Sequence, residues 1–383
     1  MRTPEIPQNN RPGAGFFVPF FHLVTVSICK AFGRLAVAPP SMSCQRVPSG
    51  LTRMTLSTFP TLRSRGRHVS AAALLLAVPG LSGLPAAACE PVLAVEDGGR
   101  ILLWQASGPA REVVEGGCAA LDAAAERLAY CTRPAADTGQ AVQLNVLPLA
   151  GGDAQRVHAG REGDAISEAA WSPDGSRLAF ILTDARFRSH LMVVEPGSPA
   201  RRLASATNAE NHQWWSLGWL ADGSAIGVHD MEHYALVAAD GGGVRESIPL
   251  ARMLGAQAET ISSTDRVLPS PRDPTAFAYT LGVPGTARFR QAMHEPNTAL
   301  FVHDRFLGRG KNLRLSAEHV TVVDAAWAPG GLALYFSGYL DRHVNEDDPF
   351  RVYRIERSGQ GMRELLRGER VSAGCRAAPA GPP

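Results

Sequence analysis

The chain has 383 residues, of which 45% are hydrophobic and 19% charged, and its formal net charge is +2. This composition excludes a largely disordered chain, and the balance of charges argues against a nucleic-acid-binding protein, which usually carries a strong basic excess. Lys30 and Lys311 are the only lysines, so arginine supplies nearly all the positive charge. We attribute this bias to base composition rather than to a phosphate-binding surface.

Residues 63–88 have the features of a secretory signal. Arginines precede an apolar run from Ala71 to Val78, and the small residues Ala86 and Ala88 suit signal peptidase. The run is too short to cross about 30 Å of hydrocarbon as a helix, so we expect an exported mature chain without a transmembrane span. With translation starting at Met54, the predicted divisions are an upstream extension or disordered leader over 1–53, a signal peptide over 54–88 and one domain over 89–383.

Cys89 directly follows the predicted cleavage site, which leaves two forms of export open. The first expectation is a periplasmic or secreted protein. The alternative is a lipid anchor on Cys89, although Ala86 stands where lipoprotein signals usually have leucine.

A hairpin pattern recurs along the rest of the chain. Its clearest copy spans 170–180 and reads Ala-Trp-Ser-Pro-Asp-Gly-Ser-Arg-Leu-Ala-Phe, in which Gly175 can adopt the positive φ that a tight turn needs. Trp219 follows Trp171 by 48 residues, and Trp327 follows it by 156. The other copies, close or degenerate, occupy 121–130, 218–228, 270–279 and 326–336.

A second pattern consists of an apolar strand, a small turn and a strand with arginine and aliphatic residues. It occurs six times, whereas the hairpin occurs five times. This mismatch indicates a ring in which both chain ends complete one unit. The missing inner strand is predicted at 369–375, beside residues 91–95. Repeats of this length with four short strands predict an all-β fold, a six-bladed β-propeller of four-stranded antiparallel blades.

The hairpin from Trp171 to Phe180 resembles the WD-repeat-like propeller repeat of the TolB type. The resemblance covers residues 89–383 and is closest at 171–180. It implies an exported bacterial propeller. The separate domain that TolB carries ahead of its propeller is expected to be missing, because strand pairing must begin within a few residues of Cys89.

The recurring tryptophans Trp171, Trp219 and Trp327 occupy one position of the repeat, which predicts packing between adjacent blades rather than a binding stripe. Trp214 and Trp215 fall outside the repeat, in the loop that enters the fourth blade. Their position suits a loop anchor and a ligand platform equally.

Strand direction sorts the loops onto two faces. Short turns lie on one face, and long, chemically varied loops lie on the other, where function usually resides on a rigid scaffold. We expect the binding surface on this long-loop face. The predicted binding residues are Arg186, Arg188, His212, Trp214 and Trp215.

The segment His229-Asp-Met-Glu-His233 is the sharpest cluster of metal-ligating residue types. His229 and His233 could bind zinc or a harder cation, but an exposed polar loop explains them as well. His343 and the acidic residues 346–348 belong to the same face. Apart from a divalent metal at this segment, no cofactor is expected.

Two functions remain open at this level. The first is a noncatalytic, monomeric scaffold that binds a protein or peptide partner through the long-loop face. The alternative is a metal-dependent lyase or hydrolase acting on a carbohydrate, because TolB-type repeats also form lyases with a histidine-bound metal near the channel. The mature chain contains no Gly-x-Ser-x-Gly and no nucleotide-binding glycine motif.

The four cysteines of the mature chain are expected to form two disulfides in an oxidising compartment. Shifting the register of the 171–180 hairpin back by one repeat places Cys118 opposite Cys131. Ring closure brings Cys375, on the last strand, beside Cys89 at the start of the first.

Overall fold

The computed structural model describes residues 89–132, 141–208, 212–255, 260–292, 297–304 and 311–377. The predicted leader and signal peptide lie outside these ranges. In the described part, six four-stranded antiparallel sheets form the blades of a propeller, which confirms the predicted fold class.

The strands follow one another blade by blade. Blade 1 begins with β1 (Cys89–Asp97), β2 (Arg100–Gln105) and β3 (Arg111–Glu115). Blade 2 contains β4 (Gly117–Leu121), β5 (Arg127–Thr132), β6 (Gln143–Pro148) and β7 (Gln155–Ala159). Blade 3 contains β8 (Ala165–Trp171), β9 (Leu178–Thr183), β10 (Ser189–Val194) and β11 (Arg201–Ser205).

Blade 4 contains β12 (Trp215–Trp219), β13 (Ala225–His229), β14 (His233–Ala238) and β15 (Val244–Pro249). Blade 5 contains β16 (Val267–Pro269), β17 (Phe277–Val283), β18 (Asn297–Asp304) and β19 (Lys311–Arg314). Blade 6 contains β20 (Val320–Trp327), β21 (Ala333–Leu340), β22 (Arg351–Glu356) and β23 (Arg363–Arg367), and β24 (Arg370–Ala377) completes blade 1.

In the described residues, α1 (Leu250–Leu254), α2 (Ala287–Ala292) and a 3₁₀ turn at Asp341–His343 lie in connections on the long-loop face. Neither α-helix in the described part has the length and apolarity that a membrane crossing requires.

The first and last strands of the propeller close the ring within blade 1. Strand β24 pairs antiparallel with β1, so that Pro91 lies opposite Cys375 and Val95 opposite Val371. This pairing confirms the predicted closing strand. Closure of the ring leaves no long free sheet edge.

The recurring tryptophans join neighbouring blades, as predicted. Trp171 Nε1 donates to the Ala120 carbonyl of blade 2 at 3.2 Å, and the Arg127 guanidinium lies 4.2 Å from the Trp171 ring centroid. Arg127 also donates to the Gly175 carbonyl at 2.7 Å, so one arginine of blade 2 holds the hairpin of blade 3. Trp219 and Trp327 make the corresponding bonds to the Ala170 and Leu268 carbonyls.

Four of the inner strands are bulged a few residues before the hairpin turn. The register shifts between Gly117 and Ala120, and it shifts at corresponding places in β8, β12 and β20. The bulge corrects one step of the cysteine prediction, because Gly117 rather than Cys118 is the residue opposite Cys131. An extra residue in one strand displaces its neighbours from direct pairing, which simple repeat arithmetic does not include.

Both predicted disulfides are nevertheless present. Cys118 is bonded to Cys131 and Cys89 to Cys375, each with a Cα–Cα distance of 5.6 Å. This separation is typical of disulfides. The first joins two strands of blade 2, and the second joins the first and last strands of the propeller.

Candidate functional site

Four charged side chains meet in the central channel, two from the inner strands β8 and β20, one from β1 and one from the residue that precedes β16. We call Glu96, Glu168, Arg266 and Asp324 the channel cluster. Arg266 forms an ion pair with Glu168, and its Nε lies 2.8 Å from Asp324 Oδ1. Glu96 contributes further negative charge to Arg266.

Each carboxylate of the channel cluster also accepts backbone N–H groups of another blade. Glu168 accepts Leu217 N–H at 2.8 Å and Ser216 N–H at 3.2 Å, both in the bulge of β12. Glu96 accepts Ala119 N–H in the bulge of β4, at 2.8 Å. The bulges therefore expose N–H groups that the sheet ladder does not use, and the carboxylates satisfy them.

The balance of charge keeps Arg266 protonated. Burial by itself lowers the pKa of Arg266, but Asp324 and Glu168 outweigh it and raise the pKa overall. The guanidinium thus occupies the centre of the carboxylates, the position that a metal cation would need. Histidine is absent from the described residues that line the channel.

The channel widens into an apolar funnel on the short-turn face. The cavity has a volume of about 300 Å³ and is lined mainly by alanine and proline, together with the three repeat tryptophans. Arg266 stands at its inner end, so the channel cluster separates the funnel from the long-loop face.

On the long-loop face, Asp184 organises a tight turn between β9 and β10. Its carboxylate accepts Arg186 N–H at 2.9 Å and Arg188 N–H at 3.0 Å, and its carbonyl accepts Phe187 N–H at 2.8 Å. The hydrogen bond from Arg188 is the main cause of the lowered pKa of Asp184. His190 Nε2 lies 3.2 Å from the same carboxylate and braces it from the strand.

This turn presents an aromatic side chain to solvent. Phe187 is 68% exposed and has a φ of 60°, a conformation that L-residues with large side chains rarely adopt. The guanidinium side chains of Arg186 and Arg188 flank it and are also exposed.

Neighbouring loops support the turn. The Gln213 amide donates to the Phe187 carbonyl at 3.4 Å, and Ser189 N–H donates to the His212 carbonyl at 3.0 Å. We call Arg186, Phe187, Arg188, His212 and Gln213 the loop patch. Three of the predicted binding residues, Arg186, Arg188 and His212, therefore lie in one patch.

The paired tryptophans have different surroundings. Trp214 is 4% exposed and packs in the core between blades 3 and 4, with Trp219 and Ile226. Trp215 is half-buried, and its ring centroid lies 6.2 Å from that of His229. Trp214 therefore anchors the loop, and only Trp215 has surface to offer a ligand.

The two histidines of the predicted metal site also differ in burial and in hydrogen-bond partners. His229 is fully buried, with Nε2 2.9 Å from the Asp265 carbonyl and Nδ1 accepting Met231 N–H at 3.3 Å. Burial is the main cause of its lowered pKa. The His233 side chain is 41% exposed and lies near Asp230 and Glu232. Metal binding by both histidines remains a prediction, and it requires His229 to leave both partners.

Three further polar residues of this face, Glu346, Asp348 and His343, are engaged within the protein. Glu346 pairs with Arg351 at 3.0 Å, and Asp348 with Arg367 at 3.2 Å. His343 Nε2 accepts a hydrogen bond from Arg342. No group of three or more metal-ligating side chains occurs among the described residues.

Comparison with known proteins rests on structure. Neither a protein-family profile nor a curated protein matches the chain. TolB from Acinetobacter baumannii is similar over 77% of this chain and 68% of its own, with 14% identity and a TM-score of 0.53. The chain has a TolB-like β-propeller fold. A TolB structure from Agrobacterium tumefaciens is similar over 76% of this chain and all of its own, at 15% identity and a TM-score of 0.48.

Sequence reasoning missed two parts of this TolB-like propeller. The sequence contains one indication of the channel cluster: Glu168 and Asp324 each stand three residues before a repeat tryptophan. Phe187 left another, as an aromatic residue between two arginines in a short loop. Neither signal shows which side chains meet or which face solvent.

Proposed function

We propose that this chain is an exported, noncatalytic propeller that binds a protein or peptide partner through the loop patch on its long-loop face. The observation that carries the proposal is Phe187, which is 68% exposed and held at positive φ between two exposed arginines.

The geometry of the turn favours recognition. A positive φ at a bulky residue is strained, and such strain persists only where the surroundings enforce it, which is common at binding sites. Asp184 enforces it here through three backbone hydrogen bonds. A preorganised aromatic residue flanked by arginine loses little entropy on binding and has the composition of an interface hot spot.

The charge of the loop patch indicates what the partner presents. Arg186 and Arg188 are exposed on either side of Phe187. A complementary surface has an apolar pocket for the ring and acidic residues around it, which would steer association and fix its register.

The enzymatic alternative has less support from the residues of the channel. A lyase of the predicted kind needs a metal held by histidine in or near the channel, whereas Arg266 fills the centre of the channel cluster. Metal analysis of the purified chain tests this alternative. Stoichiometric metal that is lost in His229→Ala and His233→Ala variants would favour the enzyme.

Two disulfides support the export part of the proposal, because structural disulfides form in oxidising compartments. Cys89 in a disulfide has no thiol left for a lipid, so we favour a periplasmic or secreted monomer over a lipid-anchored one.

Site-specific photo-crosslinking tests the binding proposal. A photoreactive phenylalanine analogue at Phe187 should crosslink a partner in envelope extracts, and charge reversal at Arg186 and Arg188 should abolish the product. The same analogue at Leu332, which is 78% exposed on the short-turn face, is the matched control. Crosslinking from Leu332 alone would move the site to the funnel face.

A further inference from the structure

A groove separates the outer parts of blades 4 and 5. Its volume is about 830 Å³, within the range of small-molecule sites. Leu236, Ile248, Met253 and Phe277 supply apolar surface, and α1 contributes to one end. The groove lies away from the loop patch and the channel cluster.

One wall of the groove carries a fixed histidine. His303 is 6% exposed, and its ring stacks on Phe277 with the centroids 4.9 Å apart. Its Nδ1 lies 2.8 Å from Asn312 Oδ1, and in the neutral tautomer that donates to this oxygen Nε2 presents a lone pair. No hydrogen bond reaches Nε2 from the residues that the structure describes.

Tyr234 also lines the groove and is 5% exposed. Its hydroxyl is buried and has no hydrogen-bond partner within the described residues. The hydroxyl packs against Gly227 of β13, where an added Cβ would lie 1.7 Å from the oxygen, so it does not open into the groove. His303 is therefore the side chain of this groove with hydrogen-bonding capacity to offer a ligand.

The rim of the groove carries both signs of charge. Arg252, on α1, and Glu246, on β15, line it and are exposed. Neither forms an ion pair with another residue in the described part of the chain. A ligand that satisfies both needs an anionic and a cationic group as well as an apolar body.

We infer that this groove binds a small zwitterion with an apolar body, of which a free aromatic amino acid is the simplest example. The carboxylate faces Arg252, the ammonium group faces Glu246, and the side chain packs against Met253 and Phe277. His303 Nε2 accepts an N–H of the ligand. This site is independent of the proposed partner binding at the loop patch.

Isothermal titration of the full chain with three probes tests the inference. The first probe is L-phenylalanine, which should bind at one site. The second, phenylacetate, lacks the ammonium group, and the third, phenethylamine, lacks the carboxylate. Arg252→Gln should weaken L-phenylalanine and phenylacetate at least tenfold and leave phenethylamine unchanged. Glu246→Gln should weaken L-phenylalanine and phenethylamine and leave phenylacetate unchanged.

Two further variants keep the test decisive. Met253→Trp fills the groove and should abolish binding of all three probes, with the unfolding temperature measured alongside. Arg245→Gln is the control. Arg245 lies on β15 next to Glu246 but faces Asp240, so its replacement should leave the affinity for all three probes unchanged. Failure of L-phenylalanine to bind at millimolar concentration, or binding that is indifferent to Met253→Trp or to both charge substitutions, would overturn the inference.

Discussion

Arg266 Nε lies 2.8 Å from Asp324 Oδ1, and the same guanidinium is ion-paired with Glu168 from the other side of the channel. Asp324 in turn accepts Val371 N–H of the closing strand at 3.1 Å. A single, largely buried arginine therefore links blades 3, 5 and 6, and through Asp324 it reaches blade 1.

Replacing this arginine should destabilise the ring strongly. Arg266→Met leaves Glu168 and Asp324 buried without a countercharge, and loss of one partner of a buried ion pair costs about 3–5 kcal/mol. Urea unfolding of the variant measures the loss. Adding Asp324→Asn should restore part of it. Arg370→Ala, at a half-buried arginine of the same channel that donates to the Ser167 carbonyl at 3.4 Å, should change stability by about 1 kcal/mol or less. Equal effects of Arg266→Met and Arg370→Ala would contradict this role.

The loss of stability on replacing a tryptophan by alanine should follow the burial of its side chain. Trp171→Ala removes a ring that is 7% exposed and a hydrogen bond to Ala120, so it should cost about 3–5 kcal/mol. Trp214→Ala should cost a similar amount, because Trp214 is a core residue. Trp215→Ala should cost clearly less, since its side chain is half-buried. Thermal unfolding of the three variants decides this order, which is wrong if Trp215→Ala is the most damaging.

Cleavage of the closing disulfide should loosen the whole ring. Cys375→Ser removes a crosslink between residues 286 apart in sequence, whereas the Cys118–Cys131 separation is 13. The chain-entropy relation gives an upper value of about 5–6 kcal/mol for the first and about 3 kcal/mol for the second. Nonreducing peptide mapping checks the pairing, and a free thiol at Cys375 would refute it.

The turn at Asp174 should make stability depend on acid pH. Hydrogen bonds from Ser172 and Ser176 lower the pKa of Asp174 to about 2, from an ordinary value of 3.8. Because the folded pKa is the lower one, the stabilisation is complete above about pH 4 and disappears as the pH falls towards 2. The stability difference between wild type and Asp174→Asn should follow this course. The effect is small because Asp174 is exposed, and a difference that grows on acidification would contradict it.

Export predicts the first residue of the mature protein. Signal peptidase should cut after Ala88, so intact mass spectrometry of protein from the cell envelope should give a chain that begins at Cys89. A mass increase of a diacylglyceryl group on Cys89 would establish the lipid-anchored alternative. Retention of residues 1–88 in that protein would refute export.

Local sequence was sufficient for the blade repeat and for ring closure. The hairpin around Gly175 recurs five times with a fixed spacing between its strands, and the second pattern, which recurs six times, gives the number of blades. The surplus of second halves identifies β24 as the partner of β1. The cysteine pairs follow from the same register, although the bulge at Cys118 shifts the residue that faces Cys131.

Only the tertiary structure decided the contents of the channel and of the surface. Glu96, Glu168, Arg266 and Asp324 come from separate blades. The bulges at Glu168 and Asp324, and those that free backbone N–H groups of β4 and β12, carry no sequence signature. Trp214 and Trp215 are adjacent in sequence, yet one packs between blades and the other reaches the surface. Their burial depends on how neighbouring blades pack, because contacts between residues far apart in sequence, and not local propensity, determine which side chains lose contact with water.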